Sequence, residues 1–179
     1  MQISSRFTIG VHLLAVIDYL GEDEKVTSSV LAGSIGVNPV IVRNVMGNLK
    51  EAGLISISQG RSGISLTKTP ERITFYDVYK AVDSVHDEGL FHFHENPNPE
   101  CPIGRNIHKA MDSKLERVQE RMEDEMRKIT LADVMTVIQS ELKKNRVERG
   151  EIPSLPLHRT YRSGIRRYIK TEIQVHLAR

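Results

Sequence analysis

One cysteine and three histidines, His92, His94, Cys101 and His108, fall in or beside a stretch of the chain rich in Asn and Pro. Thiolate and imidazole are the donors that borderline and soft transition metals prefer, and His92 and His94 would share a face if this segment is extended. Their spacing fits no compact metal motif, so an ordinary exposed loop is the simpler reading and no metal is expected. Cys101 admits another chemistry. Pro102 suits the first position of a helix, which would set Cys101 at or near the cap, where helix N–H groups stabilise a thiolate and make it an oxidation target. Packing of a small residue is the competing explanation. A cysteine hydrolase would need a base, His94 or His108, oriented by a third group beside an oxyanion site. Nothing in the sequence marks one, and no enzyme is expected.

A second set of residues suits recognition rather than reaction. Asn38, Pro39, Val40, Arg43, Asn44 and Gly47 lie on the outward side of a helix expected over about 39–52. Arginine pairs bidentately with guanine and asparagine with adenine, so Arg43 and Asn44 are candidate base readers. Asn38, at the helix start, is placed to meet a backbone phosphate, and Ser28, opening the preceding helix, is a further candidate DNA contact. The segment Gln59-Gly60-Arg61-Ser62-Gly63 puts Arg61 between glycines, where it could enter a minor groove or hold a phosphate with Gln59 and Ser62.

The elements that must position these residues follow from periodicity. Ile9, Leu13, Val16, Ile17 and Leu20 recur at helical spacing over Ile3 to Leu20, with Ser4 or Ser5 as cap. Thr27 or Ser28 caps a short second helix to about Ser34. With Gly36 as the turn residue, Ala32 falls where two crossing helices approach most closely, and Leu31, Ile35, Val37, Val42 and Val45 fill the apolar anchors of a helix-turn-helix. After Gly53 the period drops to two, in Leu54–Ser58 and again in Ile64–Leu66, which reads as a hairpin. An αα-hairpin in some other helical core would explain the anchors but not this wing. Ile73 to Val82 is helical, and residues 84–102 read as loop. Ile103, Ile107, Met111, Leu115, Val118, Met122, Met126 and Ile129 then form one stripe along a long helix that must find a partner. A short helix over Thr130 to Leu142 closes the pattern, and no internal repeat is visible.

The expected fold is therefore mainly α with a small β-hairpin: a winged helix-turn-helix head over 1–82, a sensor-like loop and long dimerisation helix over 83–142, and a basic, disordered or non-native tail over 143–179. Charge follows the same division. Arg43, Lys50, Arg61 and Lys68 face only Glu51 within 27–68, residues 69–142 carry a net −6, and residues 143–179 a net +7. Basic segments flanking an acidic middle suit a polyanion partner, double-stranded DNA, with a second copy of the chain as the other partner. The sequence has no apolar run of membrane-crossing length and no secretory leader pattern, so no membrane is expected. A single cysteine excludes an internal disulfide and suits a reducing cytoplasm.

The stretch LAGSIGVNPVIVRNVMGNLKEAGLISISQGRSGISLTK, the opening MQISSRFTIGVHLLAVIDYL and the later ITLADVMTVI resemble the IscR/NsrR/CymR family of winged-helix regulators, the Rrf2-type regulators, over about residues 1–142. The resemblance implies a dimer crossed through the long helix, acting as a transcriptional repressor on an inverted repeat. It also implies DNA contacts from Asn38, Val40, Arg43, Asn44 and the glycine-rich wing. Iron–sulfur members of that family carry three cysteines before the dimer helix. With Cys101 alone, this chain is closest to the cluster-free, YwnA-like branch, and no iron–sulfur cofactor is expected. A thiol- or metal-responsive sensor of the same fold is the alternative, with its effector unknown.

Overall fold

The computed structural model describes residues 4–21, 26–58, 63–82, 90–91 and 94–148. Helix α1 runs over Ser5–Leu20, and the Ser4 hydroxyl caps it by accepting the Arg6 N–H. It is less one-sided than its expected stripe. Leu14 and Ala15 are buried along with Ile9, Leu13, Ile17 and Leu20, because α1 is packed by α2, α3 and α4 on different sides.

Thr27 caps α2 (Ser28–Ile35) by accepting the Val30 N–H at 3.3 Å. Gly36 then turns the chain at φ +73°, in the left-handed region that glycine enters without a Cβ clash. Helix α3 (Pro39–Glu51) leaves at 113° to α2, within the range of a helix-turn-helix crossing. Leu31, Ala32, Val42, Val45, Met46 and Leu49 close this corner into the core, with Ile35 and Val37 packed at its margin. The wing is an antiparallel pair, β1 (Ile55–Ile57) and β2 (Ile64–Leu66), in the register Ile55–Leu66, Ser56–Ser65, Ile57–Ile64. Val26 adds a single parallel bridge to Gly63, which ties the wing back to the start of α2.

Helix α4 (Phe75–Val82) crosses α1, with Phe7 and Phe75 in edge-to-face contact at 5.4 Å. The long helix α5 spans Ile107–Lys128 after a short 3-10 turn at Gly104–Asn106, and α6 spans Leu131–Glu148. Two expectations change here. Helix α6 continues past Leu142 into the segment read as tail, and its first turns bury Leu131 and Met135 in the head's core.

The other change concerns repetition. Ile-Thr-x-x-Asp-Val occurs at 73–78 and again at 129–134, a short internal repeat that sequence reading passed over. In each copy the Thr backbone N–H donates to the Asp carboxylate at 2.8 Å, and the Asp N–H returns to the Thr hydroxyl, at 3.1 Å for Asp77 and 3.2 Å for Asp133. These are reciprocal N-caps for α4 and α6. The two copies are joined by an antiparallel bridge, with Phe75 N–H donating to Ile129 O at 2.9 Å and Leu131 N–H to Ile73 O at 2.8 Å. Residues 149–179 lie outside the described residues, as does most of the expected tail.

Candidate nucleic-acid interface

Helix α3 is divided by its own sequence into a buried and an open side. Val42, Val45, Met46 and Leu49 face the core, which turns Val40, Arg43 and Asn44 to the exterior. Val40 is 51% exposed, a large value for a β-branched apolar side chain on a helix. Arg43, Lys50 and Lys68 are exposed, and none forms an ion pair among the described residues. The helix therefore offers unneutralised cations and amide groups around an apolar side chain. That combination matches a major-groove surface, where base edges carry donors, acceptors and the thymine methyl group.

Asn38 has a more specific place than expected. Its side-chain oxygen caps α3 by accepting the Val40 N–H at 2.8 Å, so only its amide nitrogen is left to face a phosphate. Pro39 occupies the first turn, where its missing N–H costs nothing. Ser28 is half-buried in the first turn of α2 and Thr27, not Ser28, is that helix's cap.

Two residues were missed by sequence reasoning. Ile41 is 41% exposed beside Val40. Its position is legible in retrospect, since it lies off the 42, 45, 46, 49 spacing of the buried side. His12 on α1 reaches α2, its Nε2 lying 3.4 Å from the Ser34 hydroxyl. Partial burial holds this imidazole below its ordinary value. Only the long-range packing of α1 on α2 reveals that pair.

The wing tip residues Gln59, Arg61 and Ser62 lie outside the described residues. Beside them, the Ser58 N–H donates to the Gly63 carbonyl at 2.9 Å and continues the β1–β2 ladder toward that tip.

The loop before α5 gathers its chemistry differently from the sequence expectation. His94 and His108 stack with ring centroids 5.2 Å apart. His108 Nδ1 lies 3.3 Å from an Asp112 carboxylate oxygen, and its Nε2 donates to the His94 carbonyl at 3.1 Å. His92 lies outside the described residues, and among those described no three His, Cys, Asp or Glu side chains converge as a ligand set.

Cys101 is exposed but does not cap the long helix, because the chain makes a 3-10 turn first and the α5 cap position falls to Asn106. Its thiol is nevertheless held below the ordinary value by the backbone N–H groups of Gly104 and then Ile103. The donors belong to a local turn, not to an α-helix terminus.

Helix α5 contains no buried residue. Met111 and Val118 are 38% and 54% exposed, and Val137 and Ile138 of α6 are 63% and 36% exposed. No single helix among the described residues is long and apolar enough to cross a membrane.

Comparison with known proteins agrees with this arrangement. Residues 3–137 match the family model Rrf2, described as an iron-dependent transcriptional regulator. The chain is 42% identical over 133 residues to the "Putative HTH-type transcriptional regulator YwnA" of Bacillus subtilis, covering 74% of this chain and 96% of that protein. A solved structure titled as a "putative DNA binding protein" is 36% identical and superposes with a TM-score of 0.59, covering 73% of this chain and 99% of that one. CymR, the global cysteine regulator of B. subtilis, shares the fold with a TM-score of 0.58 at 16% identity, covering 76% of this chain and 98% of its own. The family and these relatives are regulators and DNA-binding proteins, so the cysteine-hydrolase alternative is set aside. Beside the iron of the family description, the sequence holds one cysteine, and no group of three His, Cys, Asp or Glu side chains that could hold a metal occurs among the described residues.

Proposed function

The chain belongs to the Rrf2 family of transcriptional regulators, and from that premise we propose that it is a cytoplasmic homodimeric repressor that binds an inverted repeat in double-stranded DNA. The observation that carries the reading is the open side of α3. Arg43 and Asn44 stand exposed on a helix set 113° from its predecessor by Gly36, with the opposite side locked in the core. Such a helix enters the major groove by its N-terminal half. Repression needs nothing beyond this, since a dimer seated on a promoter blocks it by occupancy.

Dimerisation is supported by α5. A helix of 22 residues with none buried has not satisfied its apolar stripe within one chain. Two copies related by a two-fold axis would cover Met111 and Val118 and present two identical heads. In outline the chain divides into a DNA-binding head and a dimerising arm.

Selection of bound sequences from a random DNA pool tests the reading. Enrichment of an inverted repeat, bound by the dimer and silencing a reporter placed behind it, is the expected result. A pool with no enriched sequence overturns it.

A second reading, a thiol-responsive form of the same regulator, is favoured by one observation. Cys101 is exposed and its thiol is lowered by the Gly104 and Ile103 N–H groups.

A further inference from the structure

Helix α3 contains a glycine that the chain itself does not explain. Gly47 sits inside the helix, where glycine is less stable than alanine because its backbone loses more freedom on folding. Its conformation does not require glycine, since the positive-φ glycines among the described residues are Gly21, Gly36, Gly53 and Gly63. Packing does not require it either. A methyl group built on Gly47 meets nothing within 4 Å, whereas one built on Gly10 of α1 would press on Val78 at 3.0 Å. Gly10 is small because α4 crosses it. Gly47 faces open space.

The helical period places Gly47 on one line with Val40 and Asn44, at i, i+4 and i+7, opposite the buried Val42, Val45, Met46 and Leu49. This line joins an exposed apolar side chain at one end to bare backbone two turns later. Arg43 and Lys50 flank it without ion-pair partners among the described residues, which suits a polyanion. In the major groove the thymine 5-methyl is the apolar group on the base edges.

We infer that the Val40–Asn44–Gly47 line is the surface of α3 that seats in the major groove, with Val40 packed on a thymine methyl and Gly47 admitting a DNA strand at a range that a β-carbon would block. The inference rests on the DNA-binding reading above and makes Val40 and Gly47 determinants of sequence and fit. The operator must then carry a thymine in each half-site whose methyl group, not its hydrogen-bonding edge, is read.

The experiment starts from the operator recovered with the parent protein. Each thymine is replaced in turn by deoxyuridine, which lacks only the methyl group. One position per half-site should weaken parent binding about 3- to 10-fold and leave Val40→Ala unchanged. Gly47→Ala should raise the thermal midpoint by about 2–4 °C while weakening operator binding about 10-fold. Gain of stability with loss of affinity is the signature of a glycine kept for its partner. An operator that Gly47→Ala binds as tightly as the parent, or on which no methyl removal separates the parent from Val40→Ala, overturns the inference and leaves the DNA-binding reading standing. A pool that yields no operator overturns both.

Discussion

Thr74 and Thr130 face each other across a single antiparallel bridge, and each begins a helix, α4 in one case and α6 in the other. Each hydroxyl also donates to its own carboxylate, Thr74 to Asp77 at 2.9 Å and Thr130 to Asp133 at 2.7 Å. The bridge hydrogen bonds run from Phe75 to Ile129 and from Leu131 to Ile73, and Ile73 and Leu131 are both buried. The end of the long arm and the start of the last helix are thereby tied by backbone to the head, beside the burial of Leu131 and Met135 in its core. A backbone pair in an apolar setting is costly to leave unmade, so this clasp resists fraying in a way that two exposed caps would not.

Loss of a cap should be visible in stability. Thr74→Ala should cost about 1 kcal/mol, and the double variant Thr74→Ala/Thr130→Ala should deviate from additivity because the two share one bridge. Asp133 is held below its ordinary range by the Thr130 N–H and hydroxyl. Its contribution is therefore present above the unfolded carboxylate value and is lost as the pH falls through the lowered one. Denaturant unfolding across an acid series should show that loss in the parent and not in Asp133→Asn. Identical pH profiles would mean that the Asp133 cap carries no stability.

Arg43→Ala should weaken operator binding by about 1–3 kcal/mol and relax preference at one base pair. Arg61→Ala should reduce affinity more evenly across sequences and flatten the salt dependence, as expected for a phosphate contact. Titration against a panel of single-base operator variants separates the two. Equal behaviour of parent and both variants would remove α3 and the wing as the contact surfaces.

A charged residue on the arm should part the two copies without unfolding either. Val118 and Met111 are exposed in the single chain, so Val118→Glu and Met111→Glu disturb no core side chain. Sedimentation should report a folded monomer with operator affinity reduced to that of one half-site. A parent protein that is itself a stable monomer and binds a half-site tightly would refute the dimer.

Alkylation of Cys101 should proceed faster at neutral pH than for an ordinary exposed cysteine, because the lowered thiol is ionised to a greater extent there. The pH–rate profile measures this directly. If operator affinity then changes with peroxide in the parent and not in Cys101→Ser, the thiol-responsive reading holds. Unchanged affinity in the oxidised parent assigns Cys101 to the turn alone.

The parts of this molecule legible in its sequence are those set by near neighbours. Gly36, the Leu31–Val45 anchors and the Ile55–Ile57 alternation each need only a local rule, and each forms the element expected of it. Cys101 shows where a local rule misleads, since Pro102 permits a helix start that the chain defers to Ile107. The Ile-Thr-x-x-Asp-Val pair was readable as two caps, but that the two caps bond to one another is a long-range fact no local pattern contains. Ile41 and Gly47 stand between these cases. Their types are plain in the sequence, yet their meaning depends on which side of α3 the core has already taken.

The clasp also sets an order of events during synthesis. Leu131 and Met135 belong to the head's core, yet the ribosome delivers them only after the whole of α5. A nascent chain that has emerged only as far as Val82 holds every element of the helix-turn-helix and wing but leaves Ile73 without its Leu131 partner. Such a fragment has an unfinished seam where the clasp would close. The head's core therefore lacks two of its residues until the whole arm has been synthesised, and a regulator cut short before Thr130 should be a better substrate for quality-control proteases than the full chain.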